Sequence, residues 1–198
     1  MRIAITCGHE TQAENRNSLS GLLETLPNHS LSRPSPLVIS STLPSKAFFS
    51  LPYAVNYAAL TIRGVPYTHP DSAVLRLLGK YVEQKRIHPE VREKGGAYGG
   101  KAHFDRYAGI FKYISYRDPS FERSLEIMKD SGRWATEQKI EADDLLEMKL
   151  STFKNIDAPI SVREEGMHEF LYGITYEMQQ TYYFLHSRML TIDGESER

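Results

Sequence analysis

The sequence predicts an α+β fold, a mostly antiparallel sheet with helices packed on one face. Three observations lead there. The alternating runs "AHF" and "GIFKYISY" flank the turn-like "DRYAG", the pattern of two adjacent antiparallel strands. The strongest helical periodicities follow one another in the last third of the chain instead of alternating with strands, which disfavours a doubly wound sheet. At 198 residues, the chain suits a single domain, 1–198, long enough to bury a core.

In order along the chain, "RIAIT" alternates and predicts a short first strand. Leu19, Leu22, Leu23 and Leu26 recur at helical spacing until Pro27 closes that helix. The Ser- and Pro-rich "NHSLSRPSPLVISSTLPSK" reads as loop, with room for a short edge strand. "FFSLPYAVNYAALTIRG" is rich in β-branched and aromatic residues and predicts a strand with Pro52 near its beginning.

A helix start follows, with Thr68 or His69 as cap, Pro70 in the first turn and Asp71 at the positive end of the dipole. Its buried stripe is predicted as Val74, Leu75, Leu78, Tyr81 and Val82. After the two strands, Asp118-Pro119-Ser120 ends the sheet and caps a helix carrying Leu125, Ile127, Met128 and Trp134. "EADDLLEMKLSTFKN" opens a second helix with acids at its N-terminus. Beyond Pro159, a three- or four-residue apolar period from Met167 to Met189 predicts one long third helix.

Composition excludes several function classes. With 24 Lys and Arg against 25 Asp and Glu, a net charge of -1 offers no general attraction for nucleic acid or an anionic membrane. No apolar run approaches the ~20 residues of a membrane span. The first residues are too brief and wrongly flanked for a secretory signal or a transit peptide. A single cysteine, Cys7, excludes an internal disulfide and a cysteine-based zinc cage, and reads as a small buried residue. Among seven histidines, neither H-E-x-x-H nor H-x-x-E-H occurs, so no zinc motif is present. A G-x-S-x-G nucleophile elbow is also missing. Phe104, Tyr107, Phe111, Tyr113 and Tyr116, interleaved with Lys101, Arg106, Lys112 and Arg117, could stack single-stranded bases, but period-two alternation favours a core face and a solvated face.

The remaining feature is "VREKGGAYGGKAHFDRY", with Gly95, Gly96, Gly99 and Gly100 in six positions. Gly95 to Lys101 spells G-x-x-x-x-G-K, yet Ala102 stands where a P-loop needs a hydroxyl, and a helix precedes the loop where a strand belongs. The glycines read instead as a turn from helix into strand. Arg92 and Tyr98, six residues apart across that bend, could present two donors to one peptide carbonyl or oxyanion; a surface arginine and a packed tyrosine is the other reading.

"VREKGGAYGGKAHFDRYAGIFKYISYRDPSFERSLEIM" closely resembles the last domain of the presequence proteases and falcilysin-like enzymes, within the pitrilysin or inverzincin zinc peptidases. "PYTHPDSAVLRLLGKYV" and "EADDLLEMKLSTFKNIDAPISVREEG" fit the same domain in order. The resemblance implies the non-catalytic C-terminal domain of a two-half peptidase that degrades targeting peptides and other short unfolded peptides. It implies that Arg92 and Tyr98 hold the substrate backbone at a zinc site belonging to an N-terminal catalytic half. The chain itself is expected to bind no cofactor and to be inactive alone. The family's last domain continues into a further helix and a closing strand, so the resemblance also predicts a fragment whose bare sheet edge invites self-association. A standalone interaction or assembly subunit of the same fold is the alternative. A soluble protein of the mitochondrial matrix or another organelle is expected if the full-length protein carries a transit peptide, and a cytoplasmic one otherwise.

Overall fold

The computed structural model describes residues 3–27, 46–156, 158–159, 161, 164 and 166–190. Two compact units form, Met1–Pro52 with Ser161–Glu165, and Tyr53–Ile160 with Gly166–Arg198. In the first, helix α1 spans Gln12–Thr25 and buries none of its residues. The strand expected at "RIAIT" is not formed over residues 3–6: Ile3 and Ile5 are exposed, and no described strand pairs with them. Alternation without a neighbour to complete its hydrogen bonds does not make a strand. Cys7 lies in the same irregular stretch and is half-buried, not part of a core as expected. Most of the Ser- and Pro-rich loop lies outside the described residues.

The second unit bears out the α+β reading. Strands β1 (Asn56–Arg63), β2 (Gly99–Asp105) and β3 (Ile110–Asp118) form an antiparallel sheet in the order β1-β3-β2. β1 begins later than the sequence suggests. Its first residue pairs with Asp118, the last of β3 before Pro119, so residues before Asn56 have no partner strand there. Register places Ala58, Leu60, Ala102, Phe104, Phe111, Tyr113 and Ser115 on one face. Against that face pack Val82, Ile87 and Val91 from the helix before β2, and Ile127 and Met128 from α3 (Phe121–Thr136). None of the strand residues on the opposite face is buried. Truncating Met128, which is fully buried, to alanine should cost about 2–5 kcal/mol, read as a lower urea midpoint with an unchanged slope.

Helix α2 spans Asp71–Val82, and the Nδ1 of His69 accepts the Asp71 N–H at 3.1 Å, one of the two capping residues foreseen. Its buried face differs from the predicted stripe. Ala73 and Leu77 are buried, whereas Val74 is 51% exposed, because α4 (Ala142–Ile156) and its Met148 cover the Ala73–Leu77 side. The helix then continues as an unusually wide π-helical segment, Glu83–Glu93, with Pro89 inside. Proline lacks an N–H and its ring crowds the carbonyl four residues back, so widened turns accommodate it better than regular α-helix.

The long third helix is two helices, α5 (Met167–Tyr172) and α6 (Tyr176–Leu190). Gly173, at φ 69°, adopts the left-handed conformation that ends α5, and Thr175 Oγ1 accepts the Met178 N–H at 3.3 Å to start α6. The apolar period survived the break, which is why periodicity alone missed it. The turn between β2 and β3 docks here. Arg106 sits 4.6 Å from the Tyr182 ring and 4.8 Å from that of Tyr107, whose hydroxyl lies 3.0 Å from His168 Nε2. Burial in this cluster pushes the Tyr67 phenol up to about 12, despite the opposing influence of Arg106. Arg106 and Tyr107 thus serve a separate aromatic knot and not the two sheet faces.

On the solvated face, partial burial and then the nearby Lys112 ammonium lower the pKa of His103. Folding therefore releases a proton from His103, and stability should fall as pH drops below about 6.5, the unfolded value. His103→Gln should flatten the dependence of melting temperature on pH in that window. An unchanged dependence would assign the effect elsewhere.

Candidate functional site

The glycine bend joins the π-helical segment to β2, and its shape follows from backbone constraints. Gly96 adopts φ 77°, and the N–H groups of Gly96 and Ala97 reach back to the carbonyls of Arg92 and Val91 at 3.1 and 3.2 Å. Gly95 is tightly enclosed: a Cβ there would lie 2.5 Å from the Val91 carbonyl oxygen and 3.0 Å from that of Glu90. Gly100 lets the helix approach the sheet, since a Cβ would meet Ile87 Cγ2 at 2.8 Å. Gly99 is different. Its nearest contact would be Tyr116 Cβ at 4.0 Å, so packing leaves space for a side chain that is not there.

Charged side chains brace the bend. Arg123, from α3, donates to the Glu90 carbonyl at 2.6 Å and to its carboxylate at 3.1 Å, while Lys94 donates to the same carboxylate at 2.6 Å. The Lys94 hydrogen bond, opposed by partial burial, holds the Glu90 pKa below its ordinary value.

Arg92 is exposed in the last turn before the bend, and its Nη1 lies 3.1 Å from His88 Nε2. The Nδ1 of His88 lies 3.2 Å from Glu93 Oε1. A neutral His88 protonated on Nδ1 satisfies both contacts, donating to Glu93 and accepting from Arg92. That arrangement orients the guanidinium while using one of its five N–H donors.

Tyr98, beyond the bend, is 68% exposed. Its ring meets Tyr116 edge-on at 5.7 Å; Tyr116 meets Tyr57 at 5.3 Å, and Tyr57 meets Tyr53 at 6.2 Å. Four exposed tyrosines therefore make a row across one end of the open sheet face. Arg92 and Tyr98 lie on either side of Gly95 and Gly96, each accessible, with no hydrogen bond between them among the described residues. Neither lines the two surface cavities of about 440 and 460 Å³ that open beside α2.

Sequence reasoning missed His88 beside Arg92 and the place of Tyr57 in the tyrosine row. The four-residue spacing from His88 to Arg92 was a readable signal. The tyrosine row was not, because it joins β1 to β3 and the bend through tertiary pairing. Among the described residues, no three His, Cys, Asp or Glu side chains come together to hold a metal ion, and the site does not fit zinc on its own. Nor is any described helix long and apolar enough to cross a membrane.

A family described as PreP C-terminal domain matches residues 46–196. The chain is 44% identical over 180 residues to the mitochondrial presequence protease of Yarrowia lipolytica, covering 90% of this chain and 18% of that protein. It is 43% identical over 180 residues to the corresponding protein of Gibberella zeae, covering 91% and 18% respectively. With that of Saccharomyces cerevisiae, identity is 40% over 186 residues, or 91% of this chain and 19% of the relative. The chain thus spans less than a fifth of the length of these relatives.

Proposed function

The chain belongs to the PreP C-terminal domain family, and from that premise we propose that it is the substrate-binding, non-catalytic part of a zinc metallopeptidase that degrades targeting peptides and other short unfolded peptides. The observation that carries the reading is the glycine bend, which leaves two strong donors, Arg92 and Tyr98, accessible on either side of Gly95 and Gly96. In this assignment Arg92 donates to a peptide carbonyl and fixes the substrate backbone. The Tyr98 hydroxyl donates to the oxyanion that develops as the carbonyl is attacked. Gly99 lets the peptide main chain come close. The N-terminal half of the peptidase supplies the zinc and the attacking water. The mitochondrial naming of the relatives supports a mitochondrial site of action.

Mixing this chain with a purified N-terminal half bearing an inverted zinc motif tests the reading. Cleavage of a quenched fluorogenic peptide is expected only with both pieces present. Binding between the two without any cleavage would instead favour a non-catalytic assembly subunit.

A further inference from the structure

We propose that Arg117 is a positioning residue for Tyr98, holding its ring where the hydroxyl meets the substrate peptide; this rests on the substrate-binding role assigned to Tyr98 above. The inference starts from the sheet register. β1 and β3 pair Asn56 with Asp118 and Ala58 with Ser115, so Tyr57 alone stands opposite both Tyr116 and Arg117. That is a β-bulge with its extra residue on β3.

Within the bulge Arg117 has φ 50°, the only positive value at a non-glycine position among the described residues. Such a backbone suits glycine, which takes it at Gly96 and Gly109, and it is strained for an arginine. Strain of this kind persists only where the surrounding structure holds it, and it clusters at functional sites.

The purpose is visible in what Arg117 touches. Its guanidinium carbon lies 5.9 Å from the Tyr98 ring centroid, and its carbonyl accepts the Tyr98 N–H at 3.4 Å. Tyr116, its neighbour in the bulge, meets the same ring edge-on at 5.7 Å. One bulge therefore grips Tyr98 at the main chain and at the ring. Arg117 takes part in no ion pair among the described residues, so a salt bridge does not explain an arginine there. A guanidinium over a phenol ring also favours the ring electrostatically, and an unheld exposed tyrosine would sample several rotamers.

Arg117→Gly separates this role from a purely structural one, because it relieves the backbone strain while removing the guanidinium. The melting temperature should hold or rise. In the isolated chain with ¹³C-labelled tyrosine, the Tyr98 ring signals, assigned through Tyr98→Phe, should shift and lose their contacts to Tyr116. In the peptidase reconstituted with its N-terminal half, kcat/KM should fall about 3- to 10-fold, as expected when a pre-positioned donor regains freedom. Arg117→Lys, which keeps the charge without the planar face, should recover part of that loss. Added to Tyr98→Phe, Arg117→Gly should cost nothing further.

Unchanged Tyr98 signals in Arg117→Gly would overturn the proposal. So would an undiminished kcat/KM in a peptidase that Tyr98→Phe does impair, or a fully additive double mutant. If Tyr98→Phe itself leaves cleavage intact, the substrate role of Tyr98 fails, and the ring signals still decide whether Arg117 holds it.

Discussion

Tyr98→Phe should lower the kcat of the reconstituted peptidase by about 10²- to 10³-fold, the usual effect of removing one hydrogen-bond donor from a developing oxyanion. The substitution removes one oxygen from a side chain that is 68% exposed, so the melting temperature of the isolated chain should not move. Arg92→Ala should have an effect of similar size that falls partly on KM, since a donor to the substrate backbone acts in the ground state as well as the transition state. Initial rates with a fluorogenic peptide, measured at several substrate concentrations, separate the two. If both variants cleave at the parent rate, neither residue carries the role assigned to it. His88→Gln, which keeps an acceptor for Arg92, provides a milder comparison within the same contact.

Gly95→Ala should destabilise the chain by about 2–4 kcal/mol, whereas Gly99→Ala, four residues away, should leave stability within about 0.5 kcal/mol. The contrast follows from what surrounds each position. At Gly95 the added methyl meets two main-chain carbonyl oxygens, of Val91 and Glu90, that belong to the π-helical segment and cannot move aside singly. The flexible end of Arg123, 2.9 Å away, can yield; the carbonyls cannot. At Gly99 the methyl faces only Tyr116 at 4.0 Å. Urea unfolding followed by circular dichroism measures both. Should Gly95→Ala unfold at the parent midpoint, the close approach at the bend is not what requires glycine there. A Gly99→Ala protein that folds normally yet binds peptide more weakly in the reconstituted enzyme would tie that glycine to the substrate.

The two predictions also mark where sequence information ended. Local chemistry was legible: the β2–β3 hairpin around "DRYAG", the Pro119 stop, the His69–Asp71 helix start and the glycine bend all involve residues close in sequence. Signals of that range depend on backbone preference and hydrogen bonds a few residues long, and survive without knowledge of the rest of the chain.

Errors arose where a pattern had two physical meanings. The alternation in "RIAIT" satisfied the rule for a strand, but a strand also needs a partner, and none of the described strands pairs with it. The period from Met167 to Met189 satisfied the rule for one helix, while Gly173 at φ 69° and the Thr175 cap make two. Val74 belonged to the predicted apolar stripe, yet the position of Met148 on α4 buried the Ala73 and Leu77 side instead.

By itself, then, the sequence determined the α+β class, the elements around the bend and the family likeness, and it singled out Arg92 and Tyr98 as candidates. Only the tertiary structure decided what surrounds that pair. The packing of Ile87 and Val91 against Gly100, the bulge opposite Tyr57 and the hold of Arg117 on Tyr98 each join segments distant in sequence. Which residue such a segment meets depends on register and close packing, and a one-residue slip would change every partner.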